Sequence, residues 1–494
     1  MHPWLLTTVA IVAIPALLIY RWIRVPSHLL DVPGISVWAV ISCLFAKKGF
    51  STALREKLQP ILAKHKMAKV FSGAIWIVIL SDPDDCKKVL LKTETFPKYE
   101  QFGTSSGFLF DFFGRNILNT NGQEWKKHRM VANPAFRKPW STKLFGECVY
   151  DLFSAIDKNI DRVQDSHDLM QRLTLDALGQ GLFGYCFNAL KDNNGHRAKL
   201  YHNMMKALFD PYRAFFPFLL KLPLEKNDRY ARYVREFNEL LLSILGEKKK
   251  EYQEKQTNGT FDERSTDLLS LMIKSTYEDQ LLTNEELRSD LLVFFIAGHD
   301  TTANSLASTL IYLAMVPECQ AKARREAFSV LGDDPGTFPT SEQQAHELPY
   351  INAVIKEAMR LIPPVANLGT RESTKPAEFQ GKMFPAGSYF GPDVYAIQRD
   401  PRYWNNPTEF NPERFLQEEK VAPYSWLPFS GGSRQCVGLN FSMIEQRVTL
   451  SMLLRKYQWY LPKDSVHADG DFKICATGLL APEKAELRFE KLNS

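Results

Sequence analysis

The sequence predicts a predominantly α-helical protein with a minor β region, and three observations carry that reading. Apolar residues recur at three- and four-residue spacing over seven separate segments. One of those segments opens on a helix-start signal and meets no proline from Asn284 to Met315. Strand-like runs of β-branched and aromatic residues are few and short. The 494 residues, 45% hydrophobic and 24% charged, can bury a large core, which excludes disordered and collagen-like classes. Neither an internal repeat nor a linker-like run divides the chain, so one large domain accommodates it.

In chain order, Trp4 to Tyr20 is an unbroken apolar stretch long enough to cross most of a thin bilayer core, followed at once by Arg21 and Arg24. It lacks the basic start and the small-residue cleavage site of a secretory signal, so residues 1–24 read as an uncleaved anchor with its basic flank. The positive-inside rule then puts the body in the cytosol. Pro26, Pro33 and Gly34 mark a stiff, non-helical spacer within a linking, membrane-proximal segment 25–50. Two apolar patches, Val37 to Ala46 and the run from Phe209 to Leu220, suit either core packing or contact with a membrane. The body begins near 51. A helix is expected from Thr52 to His65 and a hairpin from Lys69 to Leu80, broken at Ser72-Gly73. Further helices are expected over 124–133, 149–163, 168–182, 228–250, 284–315, 350–361 and 439–455, with one short strand over 378–384.

Seven scattered cysteines, odd in number and without a Cys-x-x-Cys pair, argue against a disulfide framework or a zinc site and for a reducing compartment. The net charge of +5 is too mild to imply nucleic acid and is compatible with an anionic membrane surface.

Two stretches break the local rules of the elements that carry them. The long helix begins with a capping box, Thr283-x-x-Glu286, and passes through the core, yet it contains Ala297-Gly298-His299-Asp300-Thr301-Thr302. A mid-helix glycine costs about 1 kcal/mol relative to alanine, and buried polar groups cost more, so the inconsistency points to a site. The other stretch is Phe429-Ser430-Gly431-Gly432-Ser433-Arg434-Gln435-Cys436-Val437-Gly438, which delivers one cysteine to the start of a helix beside an arginine. Helix dipole and positive charge favour the thiolate there, which is how a single protein sulfur is presented to iron.

The pattern Phe-x-x-Gly-x-Arg-x-Cys-x-Gly resembles the haem-binding signature of the cytochrome P450 family, the haem-thiolate monooxygenases. Four further stretches resemble that family in the right order: Trp125-x-x-x-Arg129, Ala297 to Thr302, Glu357-x-x-Arg360 and Phe410 to Phe415. The resemblance covers essentially the whole chain and implies the cytochrome P450 fold over residues 51–494, preceded by a single transmembrane helix. It implies haem b as cofactor, with Cys436 as the axial iron ligand and Phe429 and Gly438 in the loop around it. Trp125, Arg129, Arg371 and Arg434 become candidates for the haem propionates. Glu357, Arg360 and Arg414 become a structural charge network, and Asp300 and Thr301 a proton relay to reduced dioxygen. Gly298 is expected to leave room for dioxygen where Thr301 bonds back to the carbonyl of Ala297.

The implied reaction inserts one oxygen atom of O2 into a lipophilic small molecule. Electrons come from NADPH through NADPH-cytochrome P450 reductase or cytochrome b5, at the endoplasmic reticulum membrane. Segments holding Phe108, Phe110, Phe209, Phe294, Ala297, Ala366, Leu368, Leu479 and Leu480 line the pocket in the family. The basic cluster Lys126, Lys127, Arg137 and Lys138 suits either reductase docking or plain solvation. His299 reads as a variable position, and Ser442 stands where the family usually has alanine.

Other classes are weaker. Gly103-Thr104-Ser105-Ser106-Gly107 matches the nucleophile elbow of serine hydrolases, but it does not sit between a strand and a helix and no β/α alternation surrounds it. A haem sensor and a haem-thiolate isomerase both fit the cysteine loop, and Asp300-Thr301 favours oxygen activation over either.

Overall fold

The structure, a computed structural model, describes residues 16–100, 112–192, 196–208, 210–262, 267–417 and 421–492. Beyond a helical stretch at 16–23, the helices of eight residues or more among them are α1 (Val37–Leu44), α2 (Phe50–His65), α3 (Pro83–Leu91), α4 (Gly122–Arg137), α5 (Thr142–Asp157), α6 (Ser166–Leu178) and α7 (His196–Leu208). They continue with α8 (Glu225–Thr257), α9 (Leu268–Tyr277), α10 (Asn284–Met315), α11 (Pro317–Leu331), α12 (Pro349–Leu361) and α13 (Leu439–Lys456). The predominantly helical expectation holds. The minor β part comprises a four-stranded sheet of β1 (Met67–Phe71), β2 (Trp76–Leu80), β4 (Arg371–Glu372) and β7 (Tyr389–Pro392), in the order β1-β2-β7-β4. A three-stranded sheet of β3 (Gln164–Asp165), β8 (Tyr457–Tyr460) and β11 (Glu486–Lys491) and the hairpins β5 (Ala377–Phe379) with β6 (Lys382–Phe384) and β9 (Ile474–Thr477) with β10 (Leu479–Pro482) complete it.

Helix α10 organises the large helical core. The Thr283 hydroxyl accepts from the Glu286 amide at 3.1 Å while the Glu286 carboxylate accepts from the Thr283 amide at 2.8 Å, so the capping box starts the helix as expected. Its 32 residues span about 48 Å at a rise of about 1.5 Å per residue, and most of them are buried. Helices α5, α6, α8, α12 and α13 contribute to the same apolar cluster. A second cluster lies under the four-stranded sheet and takes in Val40, Leu62, Phe71, Leu80 and Phe390. The expected hairpin pairs Met67 with Leu80 and Phe71 with Trp76, and Gly73 at φ +93° makes the turn.

The structure departs from the sequence expectation at several boundaries. The helix expected over 149–163 covers Thr142–Asp157, because the Gln164 amide donates to the carbonyls of Ile156 and Asn159 and closes the chain into β3. The helix expected over 168–182 is capped one turn earlier by Asp165 and ends in a wide turn over Gly179–Phe183. The strand expected over 378–384 is a hairpin instead, since Gln380 (φ 49°) and Gly381 (φ 73°) reverse the chain between β5 and β6. The proline spacer contains a helical turn at Ser27–Leu29.

Most of the expected anchor lies outside the described residues. Among those described, no helix is long and apolar enough to cross a membrane. Residues 16–23 are helical and present Leu17, Leu18, Ile19 and Tyr20 to the outside, while Trp22 packs edge-on against Phe71 at 5.4 Å.

Candidate active site

The cysteine loop folds by short backbone bonds. Cys436 donates to the Phe429 carbonyl at 2.9 Å and Gln435 to that of Gly432 at 3.1 Å. Gly432 sits at φ +69°, and a Cβ there would stand 3.0 Å from the Leu90 carbonyl oxygen, so glycine is required on both counts. Gly438, at φ −84°, is under no such demand; its amide donates to the Cys436 sulfur. Cys436 lies deep within the fold yet faces open space, so its surface is accessible although protein surrounds it. The expected preference for the thiolate does not prevail in the protein alone. Burial pushes the thiol up, and the Gly438 amide and the Arg129 charge only partly oppose it. A thiol that coordinates a metal ion is deprotonated outright.

Around this loop the fold gathers cations that lack acidic partners among the described residues. Arg434 donates through Nη2 to the Thr120 carbonyl at 2.7 Å and to Asn121 Oδ1 at 3.2 Å, and its guanidinium lies 4.1 Å above the Trp125 ring. Its Nε and Nη1 are buried and have no hydrogen-bond partner among the described residues, as is Nε of Arg371. Arg371, on β4, forms a backbone bridge with Lys98, whose peptide group is clasped by the Asn121 side chain. Lys98 is the site residue that sequence reasoning missed, for no motif surrounds it. Burial and the charges of Arg371 and Arg434 hold Lys98 down to about 7. Burial, then Arg371 and Arg129, hold Arg434 down to about 9, and burial holds Arg371 down to about 10. Orphaned buried donors on mutually repelling cations are what two fixed carboxylates would satisfy, so these residues fit the propionates of a haem. Arg129 instead clamps the cysteine loop, donating to the Gln435 carbonyl at 3.0 Å.

This cluster gives a pH prediction. Lys98, Arg371 and Arg434 titrate lower in the folded haem-free protein than in the unfolded chain, which therefore binds more protons, and stability rises with pH. The melting temperature of haem-free protein is expected to climb between pH 7 and pH 9, while haem-loaded protein, its cations paired, changes less. Thermal unfolding of both forms checks this; a constant gap would remove the cluster from the haem site.

On the opposite side, Ala297 is exposed although it lies in the middle of the core helix, so α10 faces an interior space there. Thr301 Oγ1 donates to the Ala297 carbonyl at 2.8 Å, as expected. Gly298 does not serve this opening. A Cβ on it would stand 2.5 Å from Leu178 Cδ1, so the missing side chain is used by the close packing of α6 on α10. Asp300 is buried and turned away from Thr301, accepting from Tyr201 at 2.7 Å and from Gln171 at 3.1 Å. His299 is buried beside it, 2.9 Å from the Thr174 hydroxyl, and burial lowers its pKa.

The remaining predicted residues divide. Ala366 and Leu480 are buried, Leu368 and Leu479 partly so, and the Leu480 amide donates to the Pro364 carbonyl, joining the β9–β10 hairpin to the segment after α12. Phe294 packs 5.5 Å from Phe136, a ring that borders Gly438, so it fills the core on the cysteine side rather than a substrate space. Phe108, Phe110, Phe209 and the Gly103–Gly107 motif lie outside the described residues. In the basic cluster, Lys127 is engaged by Glu286.

The charge network forms as expected, with Glu357 and Arg360 completely buried and Arg414 at its edge. Arg360 uses all five donors: two on Glu357 (2.7 and 2.8 Å), and one each on the carbonyls of Gln398, Pro407 and Glu409. Arg414 donates to Glu357 at 2.9 Å. The Gln398 side chain accepts from the Leu427 amide, two residues before Phe429, so the network is tied to the segment that leads into the cysteine loop. Above the loop, Thr302 on α10 donates to Ser442 on α13 at 2.9 Å, Gln446 donates to the same hydroxyl at 3.1 Å, and Ser305 donates to Gln446 at 2.7 Å.

A helical domain that presents one cysteine sulfur from a glycine-rich loop, with a threonine bonded back to the exposed turn of its core helix and an anion cradle at the edge, fits a haem-thiolate protein. The profile described as Cytochrome P450 matches residues 33–489, and the chain belongs to the cytochrome P450 family. It is similar to Cytochrome P450 4d2 of Drosophila melanogaster, 28% identical over 78% of this chain and 80% of that protein. It is 30% identical to Cytochrome P450 4A14 of Rattus norvegicus, over 78% of this chain and 77% of that one. The same identity holds for Cytochrome P450 4X1 of Homo sapiens, over 82% of this chain and 81% of that one. The protein is a cytochrome P450 monooxygenase whose cofactor is haem b with thiolate-ligated iron.

Proposed function

We propose that this monooxygenase hydroxylates or similarly oxidises a lipophilic small molecule, with Cys436 as the iron ligand. The observation that carries the reading is the Thr301 hydroxyl bonded to the carbonyl of Ala297, the exposed residue in the middle of the core helix. Haem, when bound, supplies the binding and reductive activation of O2. The chain does the rest. Arg371, Arg434, Trp125 and Lys98 hold the carboxylates, and Arg129 fixes the cysteine loop. Thr301 holds a proton at Oγ1, and Asp300, oriented by Tyr201 and Gln171 on the buried side, is the carboxylate that takes up a proton from that side before it is passed toward Thr301. Ala366, Leu368, Leu479 and Leu480 offer the substrate apolar wall and exclude water. Thr301→Ala is expected to bind haem and substrate normally but to consume NADPH with several-fold more hydrogen peroxide and less product. Coupling ratios check this, and unaltered coupling would take Thr301 out of the proton route.

Residues 1–24 anchor the chain, 25–50 link it, and 51–494 form the catalytic domain on the cytosolic face of the endoplasmic reticulum. NADPH-cytochrome P450 reductase or cytochrome b5 supplies electrons there, and Lys126 and Arg137, exposed on α4, suit the docking face. The support is a contiguous apolar surface. On α1, Val37 and Val40 are buried while Trp38 is 70% exposed, and Phe45 just beyond is 72% exposed and packs against Tyr212; Phe218 is 60% exposed. One face of each patch thus packs the core and the other is free to dip into lipid. Asn258-Gly259-Thr260, exposed at the end of α8, reports the topology. No glycan is expected at Asn258 in a eukaryotic host. A glycosidase-sensitive mobility shift that disappears in Asn258→Gln would place the domain in the lumen.

A further inference from the structure

Between α4 and α10, beside the haem site, two helical pairs face each other: Glu124 and His128 on α4, Glu286 and Asp290 on α10. Each pair is four residues apart and so shares a helix face. His128 is completely buried, and its Nδ1 lies 2.6 Å from Asp290 Oδ2. Asp290 is fixed in turn, its other oxygen accepting from the Ile117 amide at 2.7 Å. A carboxylate on Nδ1 holds the proton there and leaves the Nε2 lone pair facing outward. That Nε2 is buried without a hydrogen-bond partner, 3.8 Å from Glu286 Oε1. One ligand atom each of Glu124, His128 and Glu286 lies within 4.8 Å of the others. The three converging ligand atoms are all acceptors, and the buried Nε2 among them has no donor of its own, so it needs a donor or a cation.

We infer that His128, Glu124 and Glu286 form a binding site for a divalent cation of the zinc class. One imidazole and two carboxylates suit zinc, whereas calcium and magnesium prefer all-oxygen sets. The ligands are held before the ion arrives. Glu286 is fixed by the capping-box bond from the Thr283 amide to Oε2, which leaves Oε1 toward the histidine. Glu124 is held by Arg115, and Glu286 Oε1 also meets Lys127. These cations do not close the site. Their side chains are 56% and 31% exposed and can swing out or stay on the remaining lone pairs of each carboxylate. The carboxylates, 24% and 13% exposed, give the ion access from solvent. Bound there, the ion would staple α4, which carries Trp125 and Arg129, to the capped end of α10.

The test uses haem-loaded, full-length protein freed of adventitious metal with a chelator and dialysed against zinc at micromolar concentration. Zinc and iron are counted together by mass spectrometry. One zinc per haem iron is expected, calcium is expected not to displace it, and Glu124→Gln/Glu286→Gln is expected to weaken zinc binding at least tenfold. Zinc should raise the melting temperature of the unmodified protein and not that of the double variant. His128→Gln removes the third ligand; because it also takes the imidazole from the buried Asp290, the partly exposed glutamates provide the deciding variant should it not fold. Absence of stoichiometric zinc in the unmodified protein, or unchanged zinc in a double variant that still holds haem, overturns the site.

Discussion

Cys436→Ser is expected to abolish the red-shifted Soret band that the reduced protein gives with carbon monoxide, and with it all detectable product formation. The alcohol has no thiolate to give, and electron donation from the axial sulfur favours O–O cleavage. None of the other six cysteines can substitute. Cys43, Cys86, Cys148 and Cys319 are buried, and burial pushes Cys86 and Cys148 far above the ordinary thiol range. Cys186 and Cys475 are exposed but stand outside the glycine-rich loop and its cationic rim. Difference spectra of the reduced carbon monoxide complex check the outcome, and an unchanged band in the variant would move the ligand elsewhere.

Arg360→Leu is expected to be nearly as severe by a different route. Glu357 and Arg360 have no solvent exposure, and removing the arginine takes two charge-assisted bonds from the buried Glu357 and leaves it with Arg414 as its one cation, at a cost toward the about 3–5 kcal/mol of a broken buried pair. Against a total stability of about 5–15 kcal/mol, that is enough to prevent most of the protein from accumulating with haem. Three carbonyls lose their donors at the same time. Lysine offers three donors where five are used, so Arg360→Lys is expected to be intermediate rather than conservative. Haem-loaded yield and urea midpoint measure both variants; a leucine variant within about 1 kcal/mol of the unmodified protein would show that the network is not holding the fold.

The parts of this architecture legible in the sequence are those set by local chemistry. The capping box at Thr283 and Glu286, the Ser72-Gly73 turn and the Thr301 to Ala297 bond each involve residues within four positions of one another, and each formed as expected. Where a boundary depended on a distant or polar partner, the pattern misled. Gln164 ends α5 by reaching back to its carbonyls, and a glycine that seemed to open the distal side turned out to admit Leu178. The propionate cradle was half legible. Arg434 and Trp125 carry motifs, but Lys98 joins them only through a backbone bridge to Arg371, 273 positions apart by the numbering, and through Asn121. Asp300 could be named from sequence, whereas its orientation toward Tyr201 and Gln171 is set by α6 and α7 and has no local signal.

The bonds from Thr302 to Ser442 and from Ser305 to Gln446 also govern how the two helices may move against each other. Apolar side chains let packed helices slide by fractions of an ångström at small cost, since dispersion contacts have little directional preference. A hydroxyl bonded to a hydroxyl allows no such drift, because hydrogen bonds weaken steeply with misalignment. The serine that stands where the family usually has alanine therefore acts as a dowel between α10 and α13. Thr302 and the helix that follows Cys436 are thereby held at one axial setting, so a tilt of α10 is passed on to α13 more than it is absorbed between them.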